Sequence, residues 1–144
     1  MSFLRLVGVA ILLVTLTVCC QRAGMAVLIH WIRHHIARGM DKMSELHSIR
    51  FMIWCTTVLI NLHMLQILLW AAFYRWVCFP SWESSFYFST TSYSTVGYGD
   101  VVPPQMWRIL GPVESVSGVL MCGLSVSLLF AIVTRLVSRH EAPL

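Results

Sequence analysis

Charge is what this chain has least of. Asp, Glu, Lys and Arg make up 11% of its 144 residues against 58% hydrophobic, where a soluble domain runs near ~25% and ~45–50%. Ten basic and six acidic side chains cannot cover a folded chain this short, much of whose surface stays wet in a soluble protein. With a mean hydropathy of +0.76, the excess apolar residues face lipid, and most soluble folds are excluded. A net charge of +4 would point to nucleic acid only on a water-exposed body with a clustered basic face; here the basic residues read as topology signals. Also missing are a nucleophile–base pair, a phosphate loop and any cofactor motif, so neither an enzyme nor a cofactor is expected. No internal repeat, low-complexity tract or flexible linker divides the chain, which reads as one membrane domain.

A bilayer core about 30 Å thick takes roughly 20 mainly apolar residues per helical span. Three segments qualify. The first begins at Phe3, runs apolar from Leu6 to Cys20, and continues past Gln21 and Arg22 to Ile32. A signal peptide is the alternative for this segment, but Thr17-Val18-Cys19-Cys20-Gln21 lacks the small-x-small cleavage pattern. The second runs from Phe51 to Phe73 with no charge, interrupted by Asn61, His63 and Gln66. The third covers Val113 to Val133, with Glu114 near its start. Between the last two lies Tyr74 to Arg108, aromatic, Ser/Thr-rich and marked by Pro and Gly, too polar to span and too apolar for a plain water-exposed loop.

Basic short loops stay on the cytoplasmic side. Arg33, Arg38, Lys42 and Arg50 mark the His34 to Arg50 loop, Arg135 and Arg139 the C-terminal tail, and only Arg75 and Arg108 lie between spans two and three. The expected topology puts that loop and the C-terminus inside and the Tyr74 to Arg108 segment and N-terminus outside, with Arg5 as the exception. The membrane is then the cell (plasma or inner) membrane. Trp70, Tyr74, Trp76, Trp82 and Trp107 would form an aromatic belt at the outer interface. Within the inner loop, Ile32, Ile36, Met40, Met43 and Leu46 recur at spacings of three and four. This stripe reads either as a short interfacial helix on anionic headgroups or as span one extending and packing on its neighbour.

The decisive residues are Thr95-Val96-Gly97-Tyr98-Gly99-Asp100. A pore for potassium must replace the ion's hydration shell with a stack of oxygens, and backbone carbonyls supply neutral, closely spaced ones. For successive carbonyls to point the same way, residues must alternate between right- and left-handed backbone, and glycine alone occupies the latter cheaply. Gly97 and Gly99, two apart, meet that demand. Upstream, Pro80 and Ser81 read as a helix start, with Ser81 as N-cap and Glu83 complementing the macrodipole in the first turn. The predicted helix, 82–92, would aim the partial negative charge of its C-terminal carbonyls at a cation held at mid-membrane.

Ser92-Tyr93-Ser94-Thr95-Val96-Gly97-Tyr98-Gly99-Asp100 resembles the selectivity-filter signature of potassium channels. The resemblance covers roughly Phe51 to Arg135 and implies an outer helix (51–73), a pore helix (82–92), a filter (95–100) and an inner helix (107–137), four such units around one axis. An extra N-terminal helix, as here, is similar to the arrangement of small prokaryotic channels. The implied fold is an all-α membrane protein: three transmembrane helices with a re-entrant pore helix and filter loop. Residues 1–50 would carry the extra helix and cytoplasmic loop, 51–139 the pore domain, and 140–144 a tail. Carbonyls of Thr95, Val96, Gly97 and Tyr98 and the Thr95 hydroxyl would bind K+, with Gly99 completing the filter and Tyr98 turned outward into aromatic packing. Ser92 stands where the family usually has threonine, and Thr91 where some members place a carboxylate behind the filter. Tyr87, at an aromatic position of the family, either hydrogen-bonds Asp100 or packs as a plain aromatic.

In the inner helix, Gly111-Pro112 bends or starts the span. Gly118 matches the family's hinge glycine, though small residues also permit close packing. Val119, Cys122, Val126 and Phe130 would face the cavity, Phe130 as an apolar constriction. Glu114, a carboxylate in a span, is usually functional or paired; it either bonds the pore helix or filter loop or reaches water at the interface. His63 and Gln66 share a face and are expected to bond span one or the pore helix, and His63 is also a candidate proton sensor. His30, His34 and His35 form a conceivable metal face that no cysteine or carboxylate completes, and no intrachain disulfide is expected because four of five cysteines fall in spans. Span one carries no Arg ladder, which argues against voltage sensing. The expected protein is a homotetrameric, passive, potassium-selective channel whose partners are lipid and its own copies, not nucleic acid or a small-molecule substrate. The alternatives are a weakly selective cation channel and a non-conducting regulatory subunit.

Overall fold

The computed structural model describes residues 3–37 and 45–140. Among them every regular element is helical: α1 (Phe3–Ala37), α2 (Glu45–Val77), the short α3 (Trp82–Tyr93), a 3-10 turn (Gln105–Trp107) and α4 (Leu110–His140). Leu4–His34, Leu46–Val77 and Gln105–Arg135 are long and apolar enough to cross a membrane, which makes the chain a multi-pass membrane protein.

Two apolar clusters set the order of packing. At one end Leu6 and Leu13 of α1 meet Trp70 and Tyr74 of α2, Phe88 of α3, Trp107 and Leu110. At the other, Leu28 and Ile32 meet Cys55 and Leu59 of α2 and Ile132 of α4. Both α1 and α4 therefore run antiparallel to α2, and the start of α1 lies at the same end of the bundle as α3. Close approach is built in where α1 crosses α2: a Cβ on Gly24 would run into the Leu62 side chain.

The outer helix is longer than its apolar run suggests. It extends beyond 51–73 to Glu45–Val77, and at its C-terminal end Tyr74 is buried on an interior partner instead of ending the span. Burial also overturns part of the expected aromatic belt. Trp70 and Tyr74 are fully buried and Trp107 nearly so, while Trp76 and Trp82 are exposed. The polar tips of the first two are satisfied inside: Trp70 Nε1 donates to Thr17 Oγ1 at 2.9 Å and Tyr74 Oη to Glu114 Oε2 at 2.9 Å.

Of the stripe read either as an interfacial helix or as an extension of span one, Ile32 and Ile36 belong to α1 and Leu46 to α2, and Ile32 packs in the second cluster; Met40 and Met43 lie outside the described residues. The inner helix, expected over 107–137, is a 3-10 turn followed by Leu110–His140. Gly111-Pro112 thus sits in its first turn, where a missing amide donor costs least.

Gly118 faces the end of α3. A Cβ there would overlap the Tyr93 carbonyl oxygen, a backbone atom that cannot step aside. Gly118→Ala should therefore cost about 1–3 kcal/mol as overpacking, read as a lower melting temperature of the detergent-solubilised protein. Gly123→Ala, with nothing within 4 Å, should melt like the wild type; equal melting of both variants contradicts the packing account.

Candidate functional site

The site starts with a capped half-length helix. Ser81 is extended (φ −125°, ψ 152°) and its hydroxyl oxygen accepts from Ser84 N at 3.1 Å, satisfying one of the orphan donors of the first turn. Glu83 lies in that turn. The 12 residues of α3 extend about 18 Å at ~1.5 Å per residue. At its other end the chain doubles back on the last carbonyls: Ser94 N donates to Thr90 O at 3.1 Å, Thr95 N to Ser92 O at 3.0 Å and Gly97 N to Thr91 O at 3.0 Å. The start of the loop is thereby tied to the C-terminal turn of α3.

Beyond that tie the backbone alternates in hand. Thr95, Gly97 and Gly99 have φ of 64°, 53° and 79°. Sequence reasoning anticipates the two glycines but not Thr95, since a β-branched residue at positive φ is strained. Residues 94–100 are exposed along this chain, and Val96 and Tyr98 remain 53% and 70% accessible.

The far end of the loop is pinned through Asp100. Tyr87 Oη donates to Asp100 Oδ2 at 2.8 Å and Val101 N to Oδ1 at 2.9 Å. The Tyr87 and Tyr98 rings stack at 6.4 Å and 17°, so Tyr87 both bonds Asp100 and packs on the loop. The Tyr87 hydroxyl is the main reason the Asp100 carboxyl is held below its ordinary range, and the same bond pushes the Tyr87 phenol up.

Two groups brace the site from behind, Ser115, which sequence reasoning missed, and Glu114, which it singled out. Ser115 Oγ of α4 donates to the Ser92 carbonyl at 2.6 Å, so Ser92 contributes through its main chain. Glu114, fully buried, takes the Tyr74 hydroxyl on one oxygen and faces Ser89 Oγ with the other. It thus bonds the outer and pore helices, not the filter loop or water. Ser89 Oγ also lies 2.9 Å from the Ile67 carbonyl. The Ser89 hydroxyl therefore sits between two acceptors, one on α2 and one on α4.

Deeper in the bundle five side chains close a ring. Tyr93 Oη donates to Gln66 Oε1 (2.6 Å), Gln66 Nε2 to Gln21 Oε1 (2.6 Å) and Gln21 Nε2 to Ser125 Oγ (2.9 Å). His63 closes the circuit, with Nδ1 2.8 Å from Tyr93 Oη and Nε2 3.0 Å from Ser125 Oγ. Gln66 so reaches both span one and the pore helix, whereas His63 reaches the pore helix and α4. Neither Gln21 nor Ser125 was singled out beforehand as a partner; a glutamine interrupting an apolar run was the available signal for the first.

Val119, Cys122, Val126 and Phe130 are all exposed on α4, on the helix that also carries Gly118. Among the described residues no group of three His, Cys, Asp or Glu gathers as a metal site; the side chain of His35 lies outside the description.

A sequence family described as ion channel matches residues 62–135, which takes in the C-terminal half of α2, all of α3, the loop and most of α4. The chain belongs to the ion channel family. Its function is accordingly passive ion conduction across a membrane. No curated protein and no solved structure matches it.

Removing the Tyr87 hydroxyl unpins Asp100. Tyr87→Phe should hasten the decay of ion current during sustained opening, measured in voltage-clamped bilayers. Because the folded Asp100 carboxyl titrates below its ordinary value of ~3.9, the contact is fully present above that pH and is lost as pH falls through the lower, folded value. The difference between wild type and variant should then persist from pH 8 to 5. Identical decay in the two proteins contradicts the pinning role.

Proposed function

We propose that the protein is a potassium-selective channel in which four copies surround one axis, each supplying a quarter of a carbonyl-lined filter. The observation that carries this is the alternation of backbone hand at Thr95, Gly97 and Gly99, at the end of a half-length helix. Alternation of this kind turns successive carbonyls to one side, where they replace the hydration shell of a bare cation. The carbonyls of Thr95, Val96, Gly97 and Tyr98 and the Thr95 hydroxyl form the ion sites. The C-terminal end of α3 adds its partial negative charge below them.

Exposure supports the assembly. Residues 94–100 are open on the single chain, and irregular backbone at membrane depth is tolerated only when it is buried in protein or lines water. Three further copies supply that burial on the flanks and leave the axis for the ion. Val119, Cys122, Val126 and Phe130 then line the cavity below the filter, and Gly118 lies at the level where α4 meets the filter's root. The basic residues of the His34 to Arg50 loop and of the C-terminal tail support a topology with the filter mouth and N-terminus outside a cell membrane and the C-terminus in the cytoplasm.

The reading is tested by ion flux into liposomes carrying the purified protein, comparing K+ with Na+ and wild type with Gly97→Ala. The wild type should pass K+ in strong preference to Na+, and a methyl group at the positive φ of residue 97 should abolish that preference or the flux itself. Equal passage of both ions through the wild type, or none, overturns the proposal.

A further inference from the structure

We infer that the ring of Gln21, Gln66, Tyr93, His63 and Ser125 is a proton-operated latch between the inner helix and the root of the filter. The inference needs the chain to conduct ions, as its family does, but does not depend on potassium selectivity.

Proton counting fixes the state of the ring. The Tyr93 hydroxyl spends its single proton on Gln66 Oε1, so the 2.8 Å contact with His63 Nδ1 holds only if Nδ1 carries a proton and donates. In a neutral imidazole Nε2 is then bare and accepts from the Ser125 hydroxyl. Ser125 Oγ in turn accepts from Gln21 Nε2, and Gln21 Oε1 from Gln66 Nε2. All five protons point the same way round, an arrangement in which each bond polarises the next.

A second proton on His63 breaks this order at one place. Nε2 becomes a donor, and Ser125 Oγ faces two donors, His63 and Gln21. Its own proton must leave the ring, and a positive charge appears in a layer lying between the two apolar clusters. The contact that reverses is the one to α4, while the donation from Nδ1 to Tyr93 survives.

The geometry gives that reversal a path to the filter. Tyr93 ends α3 two residues before Thr95, and its carbonyl is the atom packed against Gly118 of α4. Ser125 lies two turns further along α4. The ring therefore fastens α4 at Ser125 to the same residue that roots the filter loop, and it draws in α1 through Gln21. Reversal of the Ser125 contact, with the hydroxyl proton displaced from the ring and a charge placed between the two apolar clusters, loosens the hold on α4 relative to that root.

No other group facing the ring duplicates His63. The titratable neighbours are the Tyr93 phenol on α3, the Cys20 thiol on α1, and the Cys122 thiol and Glu114 carboxyl on α4. Glu114 is engaged with Tyr74 and Ser89, and Arg22, beside Gln21, points to the exposed side of α1. Of these groups only an imidazole has its ordinary pKa, ~6.5, inside the pH 5 to 8 interval.

The test combines flux and spectroscopy on full-length protein in liposomes. Between pH 8 and 5 wild-type ion flux should change by roughly two- to tenfold, the range one net hydrogen bond carries. His63→Gln preserves a donor toward Tyr93 and an acceptor toward Ser125 but cannot titrate, so its flux should stay flat across that interval. Ser125→Ala removes the contact at every pH and should shift flux at pH 8 in the direction in which acid shifts the wild type. A flat wild type, a pH response retained by His63→Gln, or an opposite shift in Ser125→Ala overturns the latch. Independently of any flux, nitrogen NMR of labelled histidine, with His63 assigned by loss of its signal in His63→Gln, should show the Nδ1–H tautomer at pH 8. An Nε2–H tautomer overturns the ring assignment.

Discussion

The constraint on which the rest of this structure depends is the need to hold a short, exposed stretch of irregular backbone between two helices long enough to span a membrane. Hydrocarbon cannot satisfy polar backbone groups, and three left-handed residues in five, one of them β-branched, are not a conformation the chain adopts unaided. Each surrounding feature answers that demand. Ser81 caps the start of α3, three amides fold back on its last carbonyls, Ser115 takes up the Ser92 carbonyl, and Tyr87 with Val101 pins Asp100. The loop is tied at its entrance, at its exit and from behind.

Packing behind the loop has a layered logic. Apolar clusters occupy both ends of the bundle, and the hydrogen-bonded ring lies between them. A uniformly apolar bundle in lipid has little to set the register of its helices, since lipid tails are as apolar as leucine. Long-range polar contacts supply that register here: Gln21 to Ser125, Trp70 to Thr17 and Tyr74 to Glu114 each join a different pair of helices. The helix preceding the family-matched region is thus tied into it by hydrogen bonds, through Thr17 and Gln21, as well as by apolar contact.

Much of this was legible in the residues themselves. Spans show in any run of apolar residues because lipid imposes a length. The loop shows because Gly97 and Gly99 are separated by one residue and follow a half-length helix, and Ser81 with Glu83 marks the start of that helix because capping is local chemistry. Thr95 was not legible as a left-handed residue, since a β-branched side chain argues for the opposite hand and only the fold overrules it. Tyr74 and Trp70 misled for a related reason: an aromatic with a polar tip suits a membrane interface as well as a buried partner, and the partners, Glu114 and Thr17, are 40 and 53 residues away in sequence. The ring shows in the sequence only as isolated polar residues in three spans and a tyrosine at the end of α3. Its closure depends on helix packing that no local pattern encodes.

The proposed fourfold filter is tested most directly by imaging the assembly together with its ion. Density for the purified assembly in a K+ solution, by crystallography or cryo-electron microscopy, should show four copies around one axis. Unhydrated ions should lie on that axis between the carbonyls of Thr95 to Tyr98. An assembly of any other symmetry, or an axis with no ion beside those carbonyls, would contradict it.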